Sequence, residues 1–204
     1  MYLLDQRILG IAILFLLGML VTVKRVATGS ILDRPKGILL VQLINIFNLF
    51  FLLVVNPLAA ILLITHRLAM IDPTHMIIDE PWILMVLEII GLLMYVIGYL
   101  LMAGALITLG RNHQLGGSTP RSEDKMVMGG PYRLVRHPMY TAALSISLGL
   151  TCLIQSWASF CVFCIYIVLI FLLIPVEENG LWKAFGEQYV AYQQKAKKLI
   201  PFVY

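Results

Sequence analysis

Residues 157–176 read WASFCVFCIYIVLIFLLIPV, without a single charged side chain, and two glutamates follow directly. A helix of about 20 apolar residues is long enough to cross the roughly 30 Å hydrocarbon core of a bilayer. Comparable apolar stretches occur at residues 8–23, 38–65, 82–109 and 138–154. The sequence therefore predicts an all-α integral membrane protein with about five transmembrane helices.

The composition of the whole chain favours the same class of protein. Of its 204 residues, 60% are hydrophobic and only 13% are charged, and the mean hydropathy is +0.90. Soluble domains contain about 25% charged residues, so a soluble enzyme, a secreted disulfide scaffold and a disordered chain are excluded. The formal net charge is +4, but Lys and Arg cluster between the apolar stretches and form no stripe that would bind nucleic acid. We expect one membrane domain over residues 1–204 and no nucleic acid partner.

The distribution of Lys and Arg predicts the orientation of the chain. The connections at residues 24–37, 66–81, 110–137 and 155–156 contain four, one, five and none of them, and the tail after residue 177 contains four. Positive residues accumulate on the cytoplasmic side of membrane proteins. The alternation predicts an N-terminus outside and a C-terminal tail in the cytosol.

Two of the predicted spans are longer than a bilayer requires. The spans at residues 38–65 and 82–109 have 28 residues each, or about 42 Å at 1.5 Å per residue. Each is therefore expected to tilt, break or protrude. In the first, Asn56-Pro57 is the predicted break, because proline lacks an N–H and clashes with the preceding turn.

Only Gln155-Ser156 separates the last two spans, which predicts a tight helical hairpin.

Several polar side chains lie within the spans, where an unpaired polar group is costly. Gln42, Asn45 and Asn48 recur every three residues and share one helix face. They either hydrogen-bond to a neighbouring helix or line a polar cavity. Glu88 is either a paired structural residue or the mark of a cavity.

Cys161-x-x-Cys164 has no second ligand pair, so we interpret both cysteines as small apolar residues and predict no metal site.

The C-terminal tail carries an apolar stripe with helical spacing, at intervals of four, four, three, four and three residues. The stripe consists of Leu181, Phe185, Tyr189, Tyr192, Ala196 and Leu199. An amphipathic helix with this pattern either lies on the cytosolic membrane face or folds back over a site there.

Charged and aromatic side chains converge at the predicted cytosolic face. The connection before the fourth span ends in Arg136-His137-Pro138, and the fifth span ends in Glu177-Glu178. A short hairpin brings the start of one helix and the end of the next to the same side. The cluster is either a plain Arg–Glu pair or, with the aromatic rings of Tyr132 and Tyr140, a ligand pocket.

These residues resemble a known signature. Arg-His-Pro-Met-Tyr at residues 136–140, an apolar stretch and Glu177-Glu178 are similar to the motif of the isoprenylcysteine carboxyl methyltransferase and phospholipid methyltransferase superfamily. The following Leu181-x-x-x-Phe185-Gly186-Glu187-x-Tyr189-x-x-Tyr192 and Leu199-Ile200-Pro201 resemble its C-terminal tail. The resemblance covers about residues 105–202. It divides the chain into N-terminal spans at 1–104 and a methyltransferase-like, cofactor-binding half at 105–204.

The resemblance implies an enzyme that moves a methyl group from S-adenosylmethionine to a lipophilic acceptor. The protein would be an integral multi-pass membrane protein whose active site faces the cytosol, and in a prokaryote its membrane would be the cytoplasmic one. Its partners would be membrane lipids and a lipophilic or lipidated substrate. The predicted cofactor-binding residues are Asp124, Lys125, Met126, Val127, Tyr132, Arg136, His137, Pro138, Met139, Tyr140, Glu177 and Glu178. No residue is assigned as catalytic, and the candidates for assisting the acceptor are His137 and Glu178.

Two positions depart from the family pattern. Ala142 replaces a glycine, and Leu173 stands where the carboxyl methyltransferases have an arginine attributed to substrate binding. The second departure predicts a lipophilic acceptor whose methylated group is not an anionic prenylcysteine carboxylate. Two alternatives remain, an NADPH-dependent membrane reductase of the sterol-reductase type and a non-enzymatic membrane scaffold.

Overall fold

The computed structural model describes residues 4–30, 39–112 and 125–200, with the backbone alone at Arg111. The helices are α1 Gln6–Thr28, α2 Leu39–Phe50, α3 Asn56–Ile64, α4 Leu68–Ile71, α5 Pro81–Leu109, α6 Pro138–Ile154, α7 Trp157–Phe185 and α8 Glu187–Lys195. Short 3-10 turns lie at Gly110–Asn112 and Gly130–Arg133. Within these ranges extended pairing is limited to two isolated bridges. The prediction of an all-helical fold is confirmed.

Four helical segments are long and apolar enough to cross a membrane, namely Gln6–Thr28, Leu39–Ile64, Pro81–Leu109 and Trp157–Phe185. The fifth predicted span is α6, which has the predicted bounds but only 17 residues. The last span continues past its predicted end at residue 176 as far as Phe185. Pro175 lies inside α7 and removes one backbone N–H. Beyond it, Glu177 and Glu178 both find partners on neighbouring elements.

The predicted break at Asn56-Pro57 is instead a π-helical turn at Phe51–Val55 that joins α2 to α3. Phe51 O accepts the Asn56 backbone N–H and also the Asn56 side-chain amide, the latter at 2.8 Å. A widened turn of this kind absorbs the missing hydrogen bond of proline while the helix continues. Asn56 is fully buried and accepts a hydrogen bond from the Tyr95 hydroxyl at 2.6 Å, which ties the turn to α5.

Helices α5 and α6 pack closely because glycines lie at their contact. A Cβ atom added to Gly149 would come within 2.6 Å of Tyr95 N and 2.7 Å of Gly91 O. One added to Gly98 would come within 2.8 Å of Ile146 N. Small residues allow membrane helices to approach in this way. The contact orients the start of α6, where the Arg-His-Pro motif lies.

We expect Gly149→Ala to lower the free energy of unfolding by about 1–3 kcal/mol, because the new methyl group meets backbone atoms that cannot move aside. Gly18→Ala in α1 is the matched control, since a Cβ atom there meets nothing within 4 Å. Alanine is the better helix former, so the control should be neutral or slightly more stable. The thermal unfolding temperatures of the two purified variants provide the test, and equal values would contradict this account of the α5–α6 contact.

At the end of the bundle opposite the motif, the connection after α3 packs against the turn between α6 and α7. Met76 N donates to Gln155 O at 2.7 Å, and Trp157 N donates to Thr74 O at 3.0 Å. Glu88 is buried nearby, where its carboxylate accepts hydrogen bonds from Leu4 N at 2.8 Å and Gln155 Nε2 at 3.5 Å. These contacts favour the structural interpretation of Glu88.

The two connections poor in Lys and Arg therefore lie together, as an alternating topology requires. Single cysteines at Lys125 and Lys195 should react with a membrane-impermeant reagent from the cytosol, and one at His75 from the outside. Position 33, which lies outside the described residues, should react like the first two. The native cysteines at Cys152, Cys161 and Cys164 would first be replaced by alanine. Cytosolic labelling at His75 would contradict the predicted orientation.

Candidate functional site

A cavity of about 340 Å³ opens between the motif, the tail and the membrane helices. Pockets of roughly 300–1,000 Å³ are typical of small-molecule sites. Its wall at the motif end is formed mainly by polar and aromatic residues, namely Lys125, Met126, Val127, Tyr132, Arg136, His137, Pro138, Met139, Tyr140, Glu177, Leu181, Phe185, Tyr189 and Tyr192. The same cavity continues between α1, α2, α5 and α6, where most of the lining is apolar.

Glu177 places a carboxylate on the cavity wall. Its Oε1 accepts a hydrogen bond from the Tyr140 hydroxyl at 2.5 Å, and its Oε2 lies 3.7 Å from His137 Nδ1. The rings of His137 and Tyr140 stack with centroids 5.8 Å apart. Pro138 at the first position of α6 needs no N–H partner, and this start places both rings beside the end of α7. The site therefore presents an oriented acid next to two aromatic rings.

Glu178 has a different role, since it does not line the cavity. Its Oε1 accepts hydrogen bonds from Arg136 Nε at 2.9 Å and Nη2 at 2.8 Å. The same oxygen lies 3.4 Å from His137 Nε2, and Lys198 Nζ lies 3.9 Å from the other oxygen. The Arg–Glu pair and the pocket that the sequence offered as alternatives are thus both present. Glu178 belongs to the pair, and the adjacent Glu177 lines the pocket.

Arg136 also binds the tail. Its Nη1 donates to Ala196 O at 2.6 Å and to Gln193 O at 3.2 Å, at the C-terminal end of α8. A guanidinium has five N–H donors in a rigid fork, and here it joins the motif, α7 and α8. Only 8% of the Arg136 side chain is exposed. Arg136 lines the cavity, and its hydrogen bonds hold the walls together.

The chain after α8 runs beside the motif as a short extended pair. Arg136 N donates to Lys197 O at 2.7 Å, and His137 N donates to Lys198 O at 3.1 Å. The Thr141 hydroxyl donates to Leu199 O at 2.7 Å. The backbone of the motif is therefore fixed from the C-terminal side of the chain.

Four residues of the apolar stripe line the cavity, namely Leu181, Phe185, Tyr189 and Tyr192. Gly186, with φ +54°, ends α7 and turns the chain into α8. Tyr189, Tyr192 and Ala196 are buried and pack with Met126, Leu181 and Phe185. Of the two interpretations offered by the sequence, the structure favours the helix that folds back over the site.

Two tyrosines join the tail to the turn before the motif. The Tyr192 hydroxyl donates to Tyr132 O at 2.5 Å. Burial raises the pKa of Tyr192 to about 12, although the nearby Arg136 opposes the increase. Burial also raises the pKa of Tyr132. Both hydroxyls therefore keep their protons at neutral pH. The hydrogen bond from the Tyr192 hydroxyl to the Tyr132 backbone carbonyl is available throughout the physiological range.

The structure brings ten of the twelve predicted cofactor-binding residues to one cavity. These are Lys125, Met126, Val127, Tyr132, Arg136, His137, Pro138, Met139, Tyr140 and Glu177. Glu178 lies behind the wall, and Asp124 lies outside the described residues. The predictions missed the tail residues Leu181, Phe185, Tyr189 and Tyr192 and the α1 residue Lys24. The helical stripe could have identified the former, but no pattern singled out Lys24.

Residues 86–188 match the family model described as phospholipid methyltransferase. This segment contains the motif, both glutamates and the hairpin that brings them together. The chain belongs to the phospholipid methyltransferase family. The resemblance read from residues 136–140 and Glu177-Glu178 is thereby confirmed at the level of the superfamily.

Curated relatives of this family member include plant enzymes. The chain is 36% identical over 115 residues to protein-S-isoprenylcysteine O-methyltransferase B of Arabidopsis thaliana, covering 55% of the chain and 58% of the relative. It is 31% identical over 116 residues to a probable protein-S-isoprenylcysteine O-methyltransferase of Oryza sativa, covering 56% of the chain and 61% of the relative. The chain thus matches about three fifths of the length of these relatives.

A solved structure shares the fold. The eukaryotic intramembrane Ras methyltransferase ICMT, an isoprenylcysteine carboxyl methyltransferase, superposes with a TM-score of 0.52 at 21% sequence identity. The match covers 80% of this chain and 74% of that chain. The match is longer than residues 86–188, so part of the chain outside the family match also shares in the architecture.

Proposed function

We propose that this family member transfers a methyl group from S-adenosylmethionine to a lipophilic acceptor at the cytosolic face of a membrane. The observation that supports the proposal best is a single cavity that carries an oriented carboxylate, Glu177, at one end and apolar walls between the long apolar helices at the other. A polar cofactor and a lipid-soluble acceptor can meet in such a cavity.

The side chains at the motif end fit the proposed cofactor. A sulfonium and an ammonium group favour a carboxylate nearby, which Glu177 offers. A carboxylate favours cations, and Lys24, Lys125 and His137 line the same cavity. Adenine favours flat apolar surfaces, which Tyr132, Tyr189 and Met126 supply.

When bound, S-adenosylmethionine would supply an electrophilic methyl carbon attached to a good leaving group. The protein then has to position the acceptor and exclude water, and such positioning alone supplies about 7–11 kcal/mol in favourable systems. The buried tail rings Tyr189 and Tyr192 and the motif residue His137 shield the motif end from solvent. His137 is the better placed of the two candidates for accepting a proton from the acceptor, since it lines the cavity and the Glu178 carboxylate is held by Arg136.

The acceptor is expected to lack the anionic carboxylate of a prenylcysteine. Leu173 is fully buried in an apolar cluster with Val41, Ile44 and Leu199. These four residues do not line the cavity, so the position offers no cation to a substrate, and the membrane part of the cavity is itself mainly apolar. An unpaired carboxylate there would be costly. Arg133 cannot replace the absent arginine as a cavity residue, because its side chain is exposed and does not line the cavity. Amine, hydroxyl or thiol groups therefore suit the site better.

Titration of the purified protein with S-adenosylhomocysteine and, separately, with NADPH tests the cofactor. Binding of the first and not the second is expected. Preference for NADPH would favour the reductase, and binding of neither would favour a scaffold. Radiolabelled methyl transfer into total membrane lipid and into a farnesylcysteine analogue tests the acceptor, and a base-labile methyl ester on the analogue without labelled lipid would contradict the prediction.

A further inference from the structure

Two asparagines lie in the wall of the membrane part of the cavity. Asn45 and Asn48 of α2 both line it, together with Tyr166 of α7. Gln42, the third polar residue on that helix face, does not. Asn48 lies nine residues after the start of α2, or about 13 Å along the helix axis. Both amides are therefore well inside the apolar length of the span.

The hydrogen bonds inside the protein use only part of each amide. Asn48 Oδ1 accepts from the Tyr166 hydroxyl at 2.5 Å, and Asn45 Nδ2 donates to Val41 O at 2.7 Å. Among the described residues, the Asn48 amide N–H groups and the Asn45 carbonyl oxygen have no further partner. Both side chains are partly accessible from the cavity. One donor group and one acceptor thus remain for a ligand in the cavity that both residues line.

Apolar side chains make up most of the cavity wall around this amide pair. The neighbouring lining residues are apolar, namely Leu49, Phe51, Leu52, Leu53, Met102, Leu106, Ala143 and Ile146. The charged residues of the cavity wall are Lys24 near the end of α1 and the motif-end residues Lys125, Arg136 and Glu177. An amide in an apolar wall is costly unless a ligand group satisfies it, and neutral amides match neutral polar groups best.

We propose that Asn45 and Asn48 select a lipophilic acceptor that carries an uncharged hydrogen-bonding group, such as a hydroxyl or a carbonyl. The inference rests on the proposed function and specifies its substrate class. The Asn48 amide donates to the oxygen of this group, and the Asn45 carbonyl accepts from its hydroxyl where it has one. A hydrocarbon leaves both amides unsatisfied, and a carboxylate would have to lose its water beside a mainly apolar wall.

Three compounds with the same carbon skeleton test this selection, namely farnesol, its hydrocarbon analogue farnesene and farnesoic acid. The full-length protein in lipid nanodiscs, saturated with S-adenosylhomocysteine, is titrated with each compound. Binding is followed by the rise in unfolding temperature that a ligand of the native state produces. Farnesol is expected to bind at least tenfold more tightly than either of the others. Equal or tighter binding of farnesoic acid or of farnesene would overturn the proposal.

Asn48→Leu is expected to weaken farnesol binding about tenfold and to leave farnesene binding and S-adenosylhomocysteine affinity unchanged. Gln42→Leu is the matched control, because it makes a similar change on the same helix face outside the cavity, and it should keep the preference for farnesol. A preference that survives Asn48→Leu would overturn the proposal. The ranking of the three compounds by the unmodified protein decides the question even where a variant does not fold.

The proposed function and this inference can fail separately. Absence of S-adenosylhomocysteine binding by the unmodified protein contradicts the proposed function. The three compounds can then be ranked on the cofactor-free protein, and a preference for farnesol there still supports the amide pair as the selecting group.

Discussion

Arg136→Leu is expected to weaken S-adenosylhomocysteine binding more than a hundredfold and to loosen the tail. The substitution leaves the Glu178 carboxylate, 13% exposed, without its main partner. Breaking a buried pair in this way costs about 3–5 kcal/mol. It also removes both side-chain donors from the Gln193 and Ala196 carbonyls at the end of α8. The walls of the cavity would then separate, although Arg136 need not touch the cofactor.

Calorimetric titration gives the affinity, and amide hydrogen exchange over residues 187–199 reports the tail. Arg133→Leu is the matched control, since it removes the same side chain three residues away at an exposed position. Exposed substitutions usually change stability by less than about 0.5 kcal/mol. Arg136→Lys keeps the charge but not the fork, so its effect should lie between the two. If Arg136→Leu and Arg133→Leu had similar S-adenosylhomocysteine affinity and similar amide exchange in the tail, Arg136 would not be the residue that links the motif to the tail.

The helices of the membrane domain were largely predictable because hydropathy alone decides them. The bounds of α6 and the hairpin at Gln155-Ser156 agree with the sequence pattern, since an apolar helix in lipid satisfies its own backbone. The end of α7 differs from the predicted end of the span at residue 176. Acidic residues mark the end of a membrane helix only where their side chains are in water. Glu177 and Glu178 meet Tyr140 and Arg136 instead.

The sequence predicted which residues come together at the candidate site. It did not predict which contacts each of them makes there. Glu177 and Glu178 are adjacent in sequence, and adjacent positions on a helix of 3.6 residues per turn point about 100° apart. One faces the cavity and the other the Arg136 guanidinium. Which acid faces which side depends on the rotation of α7 against α6. That rotation is set by packing along the whole helix and leaves no local sequence signal.

The tail illustrates the same limit. Its stripe correctly predicted a buried face, but a membrane surface and a protein cavity both accept an apolar stripe. The choice was decided by polar contacts that no periodicity reveals, above all the Tyr192 hydroxyl on Tyr132 O and the Arg136 guanidinium on Ala196 O. The amide pair on α2 was ambiguous for a related reason, since Asn48 both binds Tyr166 and lines the cavity.

Glu177→Gln and His137→Ala are each expected to weaken S-adenosylhomocysteine binding about ten- to a hundredfold. The loss of a charge-assisted hydrogen bond costs roughly 1.5–3 kcal/mol, and each 1.4 kcal/mol is a factor of about ten in affinity. Glu177→Gln is the sharper variant, because glutamine keeps the size of the side chain and can still accept the Tyr140 hydroxyl. It removes only the charge that a bound ammonium or sulfonium would use.

Glu187→Gln is the matched control for charge, since Glu187 is exposed at the start of α8 and does not line the cavity. It removes the same charge from the same end of the molecule, so a general electrostatic effect would appear in both variants. Salt distinguishes them further, because screening acts on exposed charges more than on buried ones. If the Glu177 carboxylate contacts the cofactor, its variant should lose affinity at low and high salt alike. Unchanged calorimetric affinity in folded Glu177→Gln and His137→Ala would return both residues to a structural role, in which Glu177 merely anchors the Tyr140 hydroxyl and His137 packs against its ring.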